Sequence, residues 1–489
     1  MADNSKLKDK VVNGLLWKMS ERLGVQGIQF LIQVILARLL LPEDFGNVAI
    51  INVFILVANV LIQYGFSTAL IQKIDADEVD VSSAFWVNFI ISTLMYAALF
   101  IAAPLLGRFY QDSLLASLLR VQAIILFFGA FSSIQNAVLS KNMDFRKSFF
   151  INSGGIIAQG CTGIFLALNS VGIWSLVFAQ IANSVVIVVL GFVFVPWRPT
   201  LKFSAEKVKA LFKFGKNILL ASLLETICNN IYSLTIGKVF SKSALGYYNR
   251  GQSIPNMLTN TIDGSIQGVL FPALSKYQND MVQMKRLMRR AIRTSCYLVF
   301  PVMAGIIAIA NPLISFLLTD KWLPAVPFLQ MSCLAMAFYP IHTANLQAIS
   351  ASGNSDIYLK LEVIKKILLV TVLIITLQFS IYAVMLGSVF CSVISIVINS
   401  WPNRKLFMYS LIEQMKDVMP SMILSVIMGG IVYYIEIQLP FGNFINLIIC
   451  VLIGFLVYIL GSLIMRIEEF FYLKESVYDF LIKFISKNN

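Results

Sequence analysis

Charge is scarce in this 489-residue chain: Asp, Glu, Lys and Arg together make up 13% of it, against 58% hydrophobic residues and a mean hydropathy of +0.80. Soluble domains run nearer a quarter charged. A soluble globular class is therefore excluded, and a polytopic membrane protein is expected. Histidine occurs once. The six cysteines (Cys161, Cys228, Cys296, Cys333, Cys391, Cys450) sit inside apolar stretches without metal spacing or loop placement, and read as small packing residues. There is no G-x-x-x-x-G-K-S/T, so the chain does not bind ATP in that way. No connection is long enough for a soluble catalytic domain. No A-x-A-like site follows the first apolar run, which reads as an uncleaved anchor and not a signal peptide. The net charge of +13 is spread over short connections, which speaks against a nucleic-acid partner.

What is present is a succession of apolar runs. A span needs about 20 mostly apolar residues, and that criterion yields about fourteen helices. They fall near 14–41, 47–71, 83–106, 114–139, 149–168, 172–195, 210–240, 247–271, 293–318, 323–350, 361–378, 380–400, 418–437 and 443–465. Every second connection is basic: Lys6 to Lys18, Lys141/Arg146/Lys147, Arg198 to Lys216, Lys276 to Arg293, Lys360/Lys365/Lys366 and Arg404/Lys405. The positive-inside rule places these in the cytoplasm, with both termini inside. The acidic stretch Asp75-Ala76-Asp77-Glu78-Val79-Asp80 dissents weakly, because acidic residues count little in that rule.

The two halves resemble each other at an offset of 200. Arg38-Leu39-Leu40-Leu41-Pro42-Glu43-Asp44-Phe45-Gly46 falls on Lys238-Val239-Phe240-Ser241-Lys242-Ser243-Ala244-Leu245-Gly246, and Arg22, Gln26, Gln29 and Gln33 fall on Ser222, Thr226, Asn229 and Ser233. Equivalent helices lie six spans apart, so the halves run the same way, related by an axis along the membrane normal. Domains are expected at 1–200 and 201–403 (two six-helix lobes), 404–465 (an added helix pair) and 466–489 (an amphipathic cytoplasmic tail). The alternation of Met284, Leu287, Met288 and Ala291 with Lys285, Arg286, Arg289, Arg290 and Arg293 reads either as a basic interfacial helix facing anionic headgroups or as a solvated topogenic loop.

Polar stripes run along several helices. At 100° per residue Lys18, Arg22, Gln26, Gln29 and Gln33 share one face of the first helix. Ionisable residues in a span face the bundle interior or a water-filled cavity, and a guanidinium offers paired donors to phosphate oxygens. Arg22 otherwise snorkels to the interface or pairs with Glu21. Ser222, Glu225, Asn229, Tyr232 and Ser233 repeat the stripe on the seventh helix. Asn249, Gln252, Asn256, Asn260, Asp263 and Gln267 line the eighth, and Asn52, Asn59, Gln63 and Ser67 its counterpart, the second. A shared wet cavity accounts for four aligned polar faces; interhelical hydrogen bonds are the rival account. Arg22, Gln26, Gln29, Gln33, Asn59, Gln63, Ser222, Asn229, Asn256 and Asn260 are the expected substrate-binding residues. Glu225 and Asp263 are the candidates for ion coupling, since a carboxyl in a low-dielectric cavity loads and releases a proton near neutral pH. His342 reads as a satisfied packing residue. Arg38, Arg120, Lys238 and Arg250 read either as a basic mouth or as interfacial anchors.

At Ser20-Glu21-Arg22-Leu23-Gly24, followed by Ala37 to Gly46, the chain resembles the polysaccharide exporters of the multidrug/oligosaccharidyl-lipid/polysaccharide flippase superfamily. The R-x-L-x-P-x-x-F/Y-G pattern carries the resemblance, and topology extends it over essentially the whole chain. It implies an all-α, MATE-like fold: two parallel six-helix repeats around a central cavity, two extra C-terminal helices, and alternating access. It implies, too, that Arg22 matches a cavity arginine of the related lipid II flippases, with Glu21 where their context has Ser. Their other cavity arginines have no counterpart on this glutamine-bearing face. The function implied is flipping undecaprenyl-pyrophosphate-linked repeat units across the bacterial inner membrane for O-antigen, capsule or exopolysaccharide export, with no enzymatic step. No cofactor is expected, with H+ or Na+ as candidate coupling ions. The expected partners are the lipid-linked glycan, membrane lipids, and the polymerase and glycosyltransferases of the same pathway. The alternatives are a cation-coupled multidrug exporter of the same superfamily, or a membrane-embedded glycan polymerase or ligase.

Overall fold

Apolar runs of this length satisfy their backbone hydrogen bonds internally only as helices, and helices are what the computed structural model contains. It describes residues 24–63, 66–73, 75–278, 280–475 and 478. The order is α1 (Gly24–Leu39), α2 (Pro42–Gln63), α3 (Phe66–Gln72), α4 (Glu78–Tyr110), α5 (Ser113–Gln122), α6 (Ile125–Lys141), α7 (Phe145–Leu168), α8 (Trp174–Phe194), α9 (Ala205–Val239), α10 (Lys242–Lys276), α11 (Met281–Ala308), α12 (Ala310–Leu318), a 3₁₀ turn (Asp320–Ala325), α13 (Val326–Ala337), α14 (Tyr339–Ala351), α15 (Ser355–Thr376), α16 (Ile381–Leu406), α17 (Leu411–Gln438) and α18 (Asn443–Ile464). No strand occurs among the described residues.

Among the described residues, eleven helical segments are long and apolar enough to cross a membrane, and the chain is a multi-pass membrane protein. Three of the fourteen expected segments fall short for identifiable reasons. The described part of α1 is brief, α10 is rich in amides, and the first half of α15 carries Asp356, Lys360, Glu362, Lys365 and Lys366. The helices also start earlier than hydropathy alone suggests, because polar residues at their ends cap them. Asp77 and Asp80 form a reciprocal capping box at α4 (Asp80 N to Asp77 Oδ1, 2.8 Å; Asp77 N to Asp80 Oδ2, 3.1 Å), and Ser410 and Glu413 form one at α17. Several apolar runs are broken in the middle: at Ala123–Ile124 between α5 and α6, at Ile309 between α11 and α12, and at Phe338 before Pro340. Hydropathy cannot register such breaks. The basic stretch Lys285 to Arg293 is helical and not a loop. It is the start of α11, with Met284, Met288 and Ile292 fully buried.

Contacts divide the chain into two compact units, Met1–Gly246 and Tyr247–Asn489. In the first, α7 and α8 pack most extensively. The pair Gly154–Gly155 permits it, since a Cβ on Gly155 would sit 2.4 Å from Asn183 Oδ1 and 2.5 Å from Ile187; small residues let membrane helices approach closely. α1 packs on α7 through Gly160 and Gly163, which face Ile32 and Leu36. An aromatic cluster centred on Phe85 (Trp86, Phe89, Phe131, Trp197) joins α4 to α6 and the segment after α8. In the second unit, α11 packs along α17, burying Met288, Cys296, Phe300, Ile341, Ala348 and Val418 in one core. α18 is exposed along Leu452, Phe455, Leu456 and Leu460, as a lipid-facing helix is.

Candidate functional site

Helix starts α2 and α10 carry the two copies of the repeated motif, and they cross each other. A Cβ on Gly46 would be driven into the backbone carbonyl of Lys242, and a Cβ on Gly246 into that of Pro42. Since 242 − 42 and 246 − 46 are both 200, the contact is reciprocal, each motif's glycine meeting the other's first helical residue, as in an isologous interface. Each start is capped by one half of a capping box. Asp44 Oδ2 accepts from Leu41 N (3.0 Å) in the first copy, and Ser241 Oγ accepts from Ala244 N (3.0 Å) in the second. The α4–α5 turn clamps this junction: Tyr110 Oη donates to Leu234 O (3.0 Å), Lys238 to Phe109 O, and Lys242 pairs with Asp112. Burial raises the Asp112 pKa, but the Lys242 ammonium and the Leu114 N–H outweigh it and hold it below the usual carboxylate value.

The acidic stretch that dissented from the charge rule is neutralised locally. Asp80, fully buried, takes Lys73 Nζ at 2.7 Å; Asp77 takes Lys207 at 2.5 Å, and Glu78 takes Lys202 at 2.8 Å. The hydrogen bond from Lys207 lowers the Asp77 pKa, and the reciprocal bond raises that of Lys207. All three carboxylates therefore lie beside lysines, and two of those lysines belong to the Arg198–Lys216 stretch, so the acidic residues sit on the side that stretch defines.

The expected binding residues distribute as follows. Arg22 lies outside the described residues, as does the side chain of Asp263. On α1, Gln26 and Gln33 are half-buried and Gln29 is exposed. On α2, Asn59 and Gln63 are half-buried, and Gly129 of α6 leaves room for Asn59, whose Oδ1 would stand 2.9 Å from a Cβ there. On α9, which packs against α2, Ser222 is half-buried while Glu225 and Asn229 are exposed. These three faces belong to the first unit. In the second, α10 presents half-buried Asn256 and exposed Asn260. Its hydroxyls serve the helix itself: Ser253, Thr259 and Thr261 donate to carbonyls of Arg250, Pro255 and Met257 (2.7–2.8 Å), in a helix interrupted by Pro255 and Pro272. Apart from Glu225 and Asp263, the polar residues of these faces are amides and hydroxyls, groups that both donate to and accept from sugar hydroxyls.

Other amides hold helices together. Gln122 Nε2 donates to Asn52 Oδ1 (2.6 Å) and Gln180 Oε1 (2.7 Å), joining α5 to α2 and α8. So Asn52, one of the polar residues of the second helix, serves helix packing. In the second unit Asn345 and Gln414 exchange hydrogen bonds of 2.9 and 3.0 Å, with Ser400 and Asn403 bonded to the same pair, all fully buried. His342 Nδ1 meets Asn399 at 3.2 Å, the satisfied packing role expected of it. Sequence reasoning did not join this cluster, although Asn345, Asn399 and Ser400 stand out as polar residues inside apolar runs. Arg120 lies 4.5 Å over Phe100, Lys238 4.4 Å over Phe109 and Arg250 6.0 Å over Trp322, each a cation–π contact. Among the described residues no group of three or more His, Cys, Asp or Glu is placed to hold a metal ion.

Comparison with known proteins places this architecture. A family model described as "Polysaccharide biosynthesis protein" matches residues 35–327. The lipopolysaccharide biosynthesis protein WzxC of Escherichia coli K12 is 22% identical over 375 residues, 76% of this chain and 75% of that one. The succinoglycan biosynthesis transport protein ExoT of Rhizobium meliloti is 27% identical over 329 residues, 66% of each. Among solved structures, the lipid II flippase MurJ in an inward closed conformation superposes with a TM-score of 0.74 at 17% identity, covering 92% of this chain and 99% of that one. An inward-facing multidrug resistance MATE family transporter of the MOP superfamily gives 0.61 at 14%, covering 79% and 98%. The fold is that of the MOP superfamily.

Proposed function

The chain belongs to the polysaccharide biosynthesis protein family, and on that premise we propose that it is a flippase for undecaprenyl-pyrophosphate-linked oligosaccharide repeat units. It moves them across the bacterial inner membrane, with both its termini in the cytoplasm, for O-antigen, capsule or exopolysaccharide export. The observation that carries this reading is α10: in an otherwise apolar chain it fails the hydropathy criterion because Asn249, Gln252, Asn256, Asn260 and Gln267 line it. Amides of this density in a span are costly, and a hydroxyl-rich headgroup is the cargo that repays them. With Gln26, Gln29 and Gln33 on α1, Asn59 and Gln63 on α2, and Ser222 and Asn229 on α9, they hydrogen-bond the sugars. Arg22 takes the pyrophosphate in a bidentate, charge-assisted contact, and the polyprenyl chain stays in lipid.

Transport proceeds by alternating access, and protonation or Na+ binding at Glu225 or Asp263 biases the inward–outward equilibrium. A few kcal/mol is enough to exchange the major state. No chemical step is involved: this is a transporter and not an enzyme, and it hands its cargo to the polymerase of the pathway.

The test is replacement of Arg22 by Ala and by Lys in a host whose surface polymer depends on this chain, quantifying cytoplasm-facing lipid-linked repeat units and protein level together. Accumulation in R22A at normal protein level, with partial recovery in R22K, is expected. Undiminished polymer export by R22A overturns the pyrophosphate assignment and favours the drug-exporter reading.

A further inference from the structure

The first three turns of α11 carry more positive charge than their pairing consumes. Met284, Met288 and Ile292 are fully buried on one face. The opposite face carries Arg286, Arg289 and Arg290, all exposed, with Arg293 beside them. These four guanidinium groups line one side of a cavity of about 320 Å³, whose other side is the helical segment 468–475 with Glu468, Glu469 and Tyr472.

Two of the four are neutralised. Arg289 reaches Asp417 at 2.5 Å, and that carboxylate also accepts from Tyr409 Oη at 2.7 Å. Arg293 contacts Glu468 at 3.0 Å and also pairs with Glu469, which is buried. The other two have no carboxylate among the described residues. Arg286 meets only the Gln283 side-chain oxygen, at 3.4 Å, and Arg290 stacks 4.4 Å over the Tyr472 ring. A guanidinium so placed keeps its in-plane N–H donors directed away from the ring.

One helical turn further along α11 the chemistry reverses. From Tyr297 and Leu298 onward a groove of about 850 Å³ runs between α11, α17 and α18, lined by apolar side chains including Val302, Val432, Val451 and Phe455. The same segment walls both spaces: Glu469 and Tyr472 face the arginines, while Phe470 and Leu473 line the groove. A paired-donor, cationic cavity that opens within one turn into a chain-sized apolar groove matches a phosphate-bearing headgroup carrying apolar chains, which a glycerophospholipid of the surrounding bilayer supplies.

We infer that the cavity between α11 and segment 468–475 holds the headgroup of an anionic glycerophospholipid, whose acyl chains lie in the groove between α11, α17 and α18. Arg286 and Arg290 bind the phosphate oxygens, while Arg289 and Arg293, held by their carboxylates, set the cavity's width. The bilayer supplies this ligand at the surface where basic residues are attracted to anionic lipid. The bound lipid fastens the α17–α18 pair and the last helical segment to α11. It is a resident lipid and not the transported cargo, so the inference stands apart from the transport reading.

The full chain is purified into nanodiscs of phosphatidylcholine, with and without phosphatidylglycerol or cardiolipin. Thermal unfolding and the number of lipids retained in native mass spectrometry are then read. Anionic lipid is expected to raise the unfolding midpoint of the wild type. R286Q/R290Q is expected to weaken that lipid's apparent affinity roughly tenfold (about 1.4 kcal/mol) and to lose one retained lipid, while unfolding like wild type in phosphatidylcholine alone. R286K/R290K keeps the charge and recovers part of the effect. R404Q/K405Q, which removes the same charge from exposed positions elsewhere, keeps all of it. An equal loss in R404Q/K405Q, or none in R286Q/R290Q, overturns the site. A shift reproduced by inorganic phosphate or by soluble glycerophosphoglycerol overturns the lipid assignment in favour of a free anion.

Discussion

Alanine at Gly46 tests whether the crossing of the two motif copies is a close-packed contact. The added Cβ meets backbone atoms of Lys242 well inside contact distance. No side-chain rotation relieves such a clash, so α2 and the start of α10 have to separate. Overpacking of this kind costs about 1–3 kcal/mol. Gly430, in α17, has nothing within 4 Å of where a Cβ would stand, and alanine there gains about 0.5–1 kcal/mol of helix stability. The two alanine variants are therefore expected to differ by roughly 1.5–4 kcal/mol. Because the contact is reciprocal, G246A should cost about as much as G46A. G46A/G246A should cost less than the sum, since the first methyl has already parted the backbones for the second. Chemical denaturation of the purified full-length protein, followed by tryptophan fluorescence, reads all four. A G46A variant as stable as G430A, or strictly additive costs, refutes the close reciprocal crossing.

Other expectations follow from the polar pairs. Q414L strands the buried amide of Asn345 and should destabilise by about 1–3 kcal/mol. The N345L/Q414L double variant should recover part of that, a coupling measured by the same denaturation cycle. The carboxyl of Asp112 has its folded-state pKa lowered, so its contribution is present above the unfolded value near 4 and is lost as pH falls through the folded value. Stability should therefore be flat from pH 7 to 5 with respect to this group and decline below about 4, and D112N should lack that part of the acid dependence. E225Q should abolish any dependence of transport on the ion gradient if Glu225 couples it. Counterflow in vesicles with imposed pH or Na+ gradients checks this, and unchanged gradient dependence removes Glu225.

Much of the fold was legible because its signals are one-dimensional. Run length and hydropathy locate membrane helices wherever lipid faces them, and the glycine-ended motif at 38–46 and 238–246 exposes a duplication whose register the reciprocal contact respects to the residue. The helix breaks at Ala123–Ile124, Ile309 and Phe338 were illegible, because both sides of each break are equally apolar and only packing chooses where the axis turns. For the polar faces, type and spacing mark a stripe but not its use. Asn52 and Asn59 share the second helix's polar face, yet Asn52 is bonded to Gln122 and Asn59 is fitted against Gly129.

By itself, then, the sequence determined that this chain lives in a membrane, that it is helical and duplicated, and that α10 carries a stripe of amides. These follow from the transfer energies of side chains taken one at a time. The tertiary structure alone decided the partners: the acidic stretch with the lysines of 202–207, Asn345 with Gln414, Gly46 with Lys242, and the arginines of α11 with a cavity and an apolar groove. Each joins residues far apart along the chain, and their energy depends on distance and burial, quantities that exist only once the helices have packed.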